Sequence, residues 1–341
     1  MRNVKMPIAF IVFVLLISCK KETITVLQSD SFRFEVPSHF PQPHYQSLLN
    51  PVSKDGFELG RRLFYDKRLS EDNSVSCASC HHQQFAFSDA GQSLSEGVYG
   101  RLGFRNSPAM YNLAWMPDFM WDGGVNHIEI MPFAPLTDSV EMNMDMKALL
   151  HKLETMPEYP TLFQKAFGSP EINDQRLFYA LTQFMVMLVS SNSKYDWYVT
   201  GKGNLTQHEL SGKQLFEQHC ARCHEGILFT NYGYFNNGLD ASPEDIGRER
   251  ITQNPMDKGK FKVPSLRNVA LTAPYMHDGR FSSLDEVIDH YRFGIKQSVS
   301  LDAGLENGIS LTDSEKSALI IFLETLSDEK LISDQRFSSP F

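Results

Sequence analysis

Residues 77–81 read Cys77-Ala78-Ser79-Cys80-His81, and residues 220–224 read Cys220-Ala221-Arg222-Cys223-His224. Two thiols separated by two residues stand about one helical turn apart, with an imidazole directly behind them. That arrangement lets both thiols meet the two vinyl groups on one porphyrin edge and sets the histidine under the ring as axial iron ligand. A redox C-x-x-C pair, or half of a zinc site, needs no histidine immediately after the second cysteine, and here it follows twice. The pentads therefore predict two covalently bound haems c, one on Cys77, Cys80 and His81, the other on Cys220, Cys223 and His224. His82, adjacent to His81, is expected to point away from the same iron. The fifth cysteine, Cys19, lies near the N-terminus, so none is left for a structural disulfide.

The residues ahead of Cys19 read as an address. Arg2 and Lys5 precede an uninterrupted apolar run over 8–17, too short to cross a bilayer as an ordinary helix, and Ser18 follows. Leu16-Ile17-Ser18-Cys19 resembles a bacterial lipobox. Residues 1–19 are thus expected to be a lipoprotein signal peptide, with Cys19 the acylated first residue of the mature chain. This implies a periplasmic or cell-envelope protein held to a membrane by its lipid. Residues 20–45, polar and dotted with Pro37, Pro41 and Pro43, read as a tether.

The 341 residues suffice for two domains, and 42% hydrophobic with 21% charged residues is globular composition. A net charge of −9 argues against a nucleic-acid partner. Helix signals dominate. Phe57, Leu59, Leu63 and Phe64 lead into the first pentad, and Leu177, Leu181, Phe184, Met185 and Leu188 recur at helical spacing. Thr206-x-x-Glu209, Ser283-x-x-Glu286 and Thr312-x-x-Glu315 are capping boxes; the first opens a helix leading to the second pentad. Leu319, Ile320, Phe322 and Leu323 give the last box an apolar helix face. Sustained strand alternation is absent, so the expected fold is all-α. The order helix, pentad, loop, late helix occurs twice, with first cysteines 143 apart (220 − 77). A boundary in Ser190-Ser191-Asn192-Ser193 gives two cytochrome c-like domains, 46–193 and 194–341.

Five further stretches carry a resemblance. Gly103-Phe104-Arg105-Asn106-Ser107-Pro108, Trp121-Asp122-Gly123-Gly124, Val140-Glu141-Met142, residues 261–268 (Phe-Lys-Val-Pro-Ser-Leu-Arg-Asn) and residues 271–279 (Leu-Thr-Ala-Pro-Tyr-Met-His-Asp-Gly) resemble the bacterial dihaem cytochrome c peroxidase family in order and spacing over about residues 50 to 330. The resemblance implies a peroxidatic first haem with Glu141 as its acid–base residue and Trp121 as a relay between haems. Read alone, Glu141 would be a helix N-terminal charge and Trp121 a core aromatic. It also implies a calcium ion held by the Asn106 side chain and the carbonyls of Thr272 and Pro274, oxygen donors suited to that cation.

Three departures bear on function. Met131 stands where many members carry glutamine, ten residues before Glu141. No histidine occurs between Gln83 and Asn126, where many peroxidases place one that caps the first iron until the second haem is reduced. The first iron is therefore expected to stand open. The second haem's distal methionine is replaced, by spacing, with Tyr291, as in the MauG-like branch; His290 and Met276 are rival ligands. A phenolate is a hard anionic ligand that favours higher oxidation states, whereas methionine raises the potential. The expected activity is reduction of hydrogen peroxide with electrons from a small donor protein such as a monohaem cytochrome. A MauG-type oxidase of a protein or small molecule, and a non-catalytic dihaem electron carrier, are the alternatives.

Overall fold

A computed structural model describes residues 32–46 and 48–341. The signal segment, Cys19 and residues 20–31 of the expected tether lie outside the described residues. Among those described, the chain is helix-rich with little sheet. The helices are α1 Lys54–Tyr65, α2 Cys77–Cys80, α3 Phe133–Thr137, α4 Met146–Thr155, α5 Glu158–Phe167, α6 Asp174–Met185, α7 Lys194–Val199, α8 Gln207–His219, α9 Glu249–Thr252, α10 Leu284–Asp289, α11 Asp313–Glu324 and α12 Glu329–Ser333. Two strands, β1 Tyr234–Phe235 and β2 Phe261–Lys262, pair antiparallel with Tyr234 opposite Lys262. The all-α expectation is amended by this one ladder, whose two-residue strands are too short to show alternation.

The capping signals behave as hydrogen-bond chemistry requires. Reciprocal boxes open α8 at Thr206 and Glu209 and α11 at Thr312 and Glu315. At α10 the box is split: Ser283 caps the Glu286 N–H, but the Glu286 carboxylate accepts from Ser282 N at 2.6 Å. A further box, Ser193 with Asp196, opens α7.

One helix joint is built twice. Gly60 of α1 lies against the Ala180 carbonyl of α6, and Gly212 of α8 lies against the Ala318 carbonyl of α11; a methyl at either glycine would overlap that oxygen. Four residues on, one turn along each helix, Phe64 meets Phe184 with centroids 4.9 Å apart, and Phe216 meets Phe322 at 5.3 Å. A third ring completes each group, Phe87 at 6.1 Å from Phe64 and Phe229 at 5.4 Å from Phe216. These trios anchor two separate apolar clusters, one running through α1, α5 and α6, the other through α8, α10 and α11. Each joint fixes the helix ahead of a pentad, and so fixes the pentad.

Residues 32–45 do more than tether. Phe40 is buried in the first cluster, the Trp115 indole donates to the Pro41 carbonyl at 2.8 Å, and His39 bonds Asp196 at 2.9 Å. Prolines and polar residues masked the apolar spacing of Phe32, Phe34 and Phe40. The segment 190–193 is likewise no loose linker. Ser190 is fully buried, Asn112 and Asn268 bond it, and Asp328 accepts from the N–H groups of Ser191 and Asn192 at 2.8 and 2.9 Å. Late residues also return to the first cluster: Leu331 and Phe337 are buried in it, and Tyr65 donates to the Phe337 carbonyl at 2.7 Å.

Candidate active site

The two pentads are the same device in different surroundings. Cys77 to Cys80 form α2, and Ser79 Oγ accepts from Ser76 N at 3.0 Å to close the turn. Cys220 follows directly on α8. In each pentad the histidine N–H donates to the first cysteine's carbonyl at 3.0 Å. All four thiols are unpaired. His81 Nδ1 bonds the Phe87 carbonyl at 2.9 Å; His224 Nδ1 bonds the carbonyls of Phe229 and Pro264 at 3.2 and 3.1 Å. A carbonyl only accepts, so Nδ1 carries the proton and Nε2 keeps the lone pair that a metal needs. Burial pushes both imidazoles down, His224 to about 4, which keeps them neutral. Two thiols one turn apart and a half-buried imidazole with a free Nε2 fit a covalently held haem at each pentad.

Two of the three carbonyls that orient the histidines come from strained backbone. Phe87 has φ 60° and Phe229 φ 53°, the left-handed region that side-chain-bearing residues seldom occupy. Each phenylalanine packs its ring into the trio above and turns its carbonyl to the imidazole. Sequence reasoning missed both, because nothing in a lone Phe announces a positive φ.

Glu141 sits on a loop braced by Asp138. Glu141 N donates to the Asp138 carbonyl at 3.1 Å, Asn143 N to the same oxygen at 2.9 Å, and Val140 N to Asp138 Oδ1 at 3.0 Å. Val98 N donates to the Glu141 carbonyl at 2.8 Å from a second loop, which approaches this closely only because residue 97 is glycine. Glu141 is exposed as a residue, while neighbouring protein crowds its carboxyl group and weakens its solvation. Burial, with the Asp138 charge adding, pushes its carboxyl up to about 7. The carboxylate's charge is felt at both Cys77 and Cys80, which places it toward the first pentad. A carboxyl at about 7 can both take and return a proton near neutral pH. Met131 packs partly buried against the first cluster.

Trp121 stands where the motif stretches converge. Its indole donates to the Asn106 carbonyl at 2.7 Å, and its own carbonyl accepts from Lys262 N at 2.8 Å. Asp122, fully buried, receives Arg105 and Arg250 at 2.7 Å each, and its backbone carbonyl receives Arg248 at 2.7 Å. Burial alone would raise the Asp122 carboxyl, but Arg105 and Arg250 hold it below the usual range. Arg105 also grips Asp245 with bonds of 2.6 and 2.8 Å. Asn106 N donates to the His277 carbonyl at 2.7 Å, and the His277 ring stacks on Phe261 at 3.7 Å. Five stretches distant in sequence therefore form one junction around Trp121.

Tyr291 lies on a single π-turn, His290–Gly294, that extends α10. Asn237 Nδ2 is 3.4 Å from both Tyr291 Oη and Met276 Sδ. The rival His290 is engaged elsewhere, its Nε2 bonded to the Asn237 carbonyl at 3.0 Å. Burial pushes the Tyr291 phenol up to about 12, eased by Asn237, while Cys220 and Cys223 lie near enough to push it further. The phenol therefore sits beside the second pentad. Asn106 and the 272–279 turn meet on one loop: Asn106 Nδ2 donates to the carbonyls of Gln92 and Ser93 at 3.1 and 3.2 Å, and Gly91 N to that of Ala273 at 2.9 Å. His82, at 3.5 Å from Asp89, is partly exposed.

A helix-rich fold that presents two such pentads, each with an iron-ready imidazole, defines the class of c-type dihaem proteins. Residues 54–204 match the family described as di-haem cytochrome c peroxidase. The chain is 36% identical over 310 residues to cytochrome-c peroxidase IdrP2 of Denitromonas iodatirespirans, spanning 81% of this chain and 83% of that one. It is 35% identical to the methylamine utilization protein MauG of Methylorubrum extorquens, across 87% and 84% of the two chains. Among solved structures, a MauG-like protein associated with microbial copper homeostasis superposes with a TM-score of 0.85 and 34% identity, covering 91% of this chain and 99% of that one. The chain belongs to the di-haem cytochrome c peroxidase family, and it is a peroxide-reducing oxidoreductase of that family.

Proposed function

We propose that the two halves are cytochrome c-like domains, 46–193 and 194–341, with the first haem on Cys77, Cys80 and His81 as the peroxidatic one and the second on Cys220, Cys223 and His224. Haem supplies the redox-active iron at which peroxide binds. Glu141 takes a proton from the near oxygen of the peroxide and returns it to the far oxygen as water departs. The raised Glu141 carboxyl, whose charge reaches Cys77 and Cys80 of the first pentad, supports this reading. Trp121 relays electrons between the halves, and Tyr291 would hold the second iron through its phenol oxygen, giving up the proton that burial otherwise retains. Asn106, Thr272 and Pro274 would hold calcium. A small donor protein supplies electrons. Cys19 anchors the exported protein in the periplasm or envelope by its lipid.

Rapid mixing of the fully oxidised protein with peroxide tests this. The absence of a histidine between Gln83 and Asn126 predicts immediate reaction, and Glu141→Gln should keep the haem spectrum while slowing it by about 10²–10⁴-fold. A ferric protein inert until half-reduced would remove the open-iron reading. A MauG-type oxidase of a protein or small molecule is the second reading, favoured by the Tyr291 phenol beside Cys220 and Cys223; oxidation of an added aromatic substrate without a donor cytochrome distinguishes it.

A further inference from the structure

Beside Trp121 lies a buried group that the chemistry above leaves unused. Tyr234 Oη is buried with no hydrogen-bond partner, and so is Asp118 Oδ1. Tyr234 sits on β1 opposite Lys262 of β2, whose N–H donates to the Trp121 carbonyl. The phenol lies against Gly123, where a methyl group would overlap its oxygen. Lys262 therefore stands between Tyr234 on one side and the backbone of Trp121 on the other. Lys262 Nζ donates to the Asp118 carbonyl at 2.7 Å and stands 3.5 Å from Asp118 Oδ1. The guanidinium of Arg248 covers the Tyr234 ring at 4.2 Å.

A buried phenol without a well-aligned partner is costly, so its retention calls for a reason. Loss of an electron makes a phenol strongly acidic, and a phenol within reach of a carboxylate, here the Asp118 group that also pairs with Lys262, can shed its proton in the same event. Arg248 over the ring face disfavours a ring left positively charged. Electron loss at Tyr234 must therefore coincide with proton transfer to Asp118, whose resulting neutral carboxyl still lies beside the Lys262 ammonium. Burial, with Asp118 adding, raises the phenol far above its usual range, so the resting state keeps the proton on Tyr234.

We propose that Tyr234 is a redox-active tyrosine that stores one oxidising equivalent when no reductant arrives. It gives one electron through Trp121 to the peroxide-oxidised haems and its phenolic proton to the Asp118 carboxylate, becoming a neutral phenoxyl radical; return of the electron and proton restores it. This rests on Trp121 acting as relay.

The test is freeze-quench electron paramagnetic resonance of the oxidised protein mixed with one equivalent of peroxide and no donor, with haem bands followed in parallel. The wild type should give a tyrosyl signal that narrows with ring-deuterated tyrosine and vanishes in Tyr234→Phe, while the haem bands respond alike in both. Asp118→Asn should delay the signal by about 10²-fold, the low end of a proton-transfer contribution. A tyrosyl signal undiminished in Tyr234→Phe, or none in the wild type although the haem bands respond, overturns the assignment and leaves the peroxidatic reading standing. Haem bands indifferent to peroxide would sink that reading and the proposal together. A signal that survives Trp121→Phe but not Tyr234→Phe overturns the route through Trp121 alone.

Discussion

The Glu141 carboxyl gives a pH profile that an ordinary surface glutamate would not. The base form is needed to take the first proton, so the rate should follow the deprotonated fraction and rise with pH. With the carboxyl near 7, half is ionised at pH 7 and about 1% at pH 5, so the second-order rate constant for peroxide should fall about fiftyfold over that interval. A glutamate at the ordinary 4.5 would lose only about 1.3-fold over the same interval. Asp138 supplies the second, smaller push. Asp138→Asn keeps an oxygen for Val140 N while removing the charge, and should move the midpoint to lower pH. Stopped-flow mixing of oxidised protein with excess peroxide from pH 5 to 9 measures both. A profile flat between pH 5 and 7, or one unmoved by Glu141→Gln, would refute Glu141 as the base.

Gly212→Ala should force α8 off the Ala318 carbonyl and cost about 1–3 kcal/mol, the usual scale of overpacking, read as a lower urea midpoint. Arg267→Met removes the fully buried guanidinium that binds Asp196 at 2.7 and 2.9 Å; loss of one partner of such a pair costs about 3–5 kcal/mol, measured the same way. Tyr291→Phe should leave two covalent haems on a denaturing gel yet abolish the ferric tyrosinate bands in resonance Raman; unchanged bands would exclude Tyr291 as ligand. Cys19→Ser should move the protein from detergent-phase membranes to the soluble exported fraction.

How much of this was legible beforehand depended on range. The pentads and two of the three capping boxes were, because each is a covalent or one-turn pattern written within five residues; the Ser283 box is split, its Glu286 accepting from Ser282. Glu141, Trp121 and Tyr291 were named through family resemblance rather than local chemistry; a lone Glu before Met142 carries no mark of a carboxyl near 7. That value comes first from the protein crowded around the carboxyl and then from the Asp138 charge. The Trp121 junction joins Arg105 to Asp245 and Lys262 to Asp118, ion pairs separated by more than a hundred positions, and no spacing rule reaches so far. Proline content hid the buried Phe40. The left-handed φ of Phe87 and Phe229 is invisible to propensity, since tertiary packing imposes it.

The packing of Leu331 and Phe337 into the first cluster sets an order of events. Phe337 touches Phe57, Phe87 and Phe184, yet follows Phe184 by 153 residues (337 − 184). A chain made from its N-terminus presents the first pentad long before that ring. Until it arrives, the cluster behind His81 lacks one wall, because Phe337 packs on the Phe87 whose carbonyl holds that imidazole. The first cluster is therefore completed only by residues 331–337.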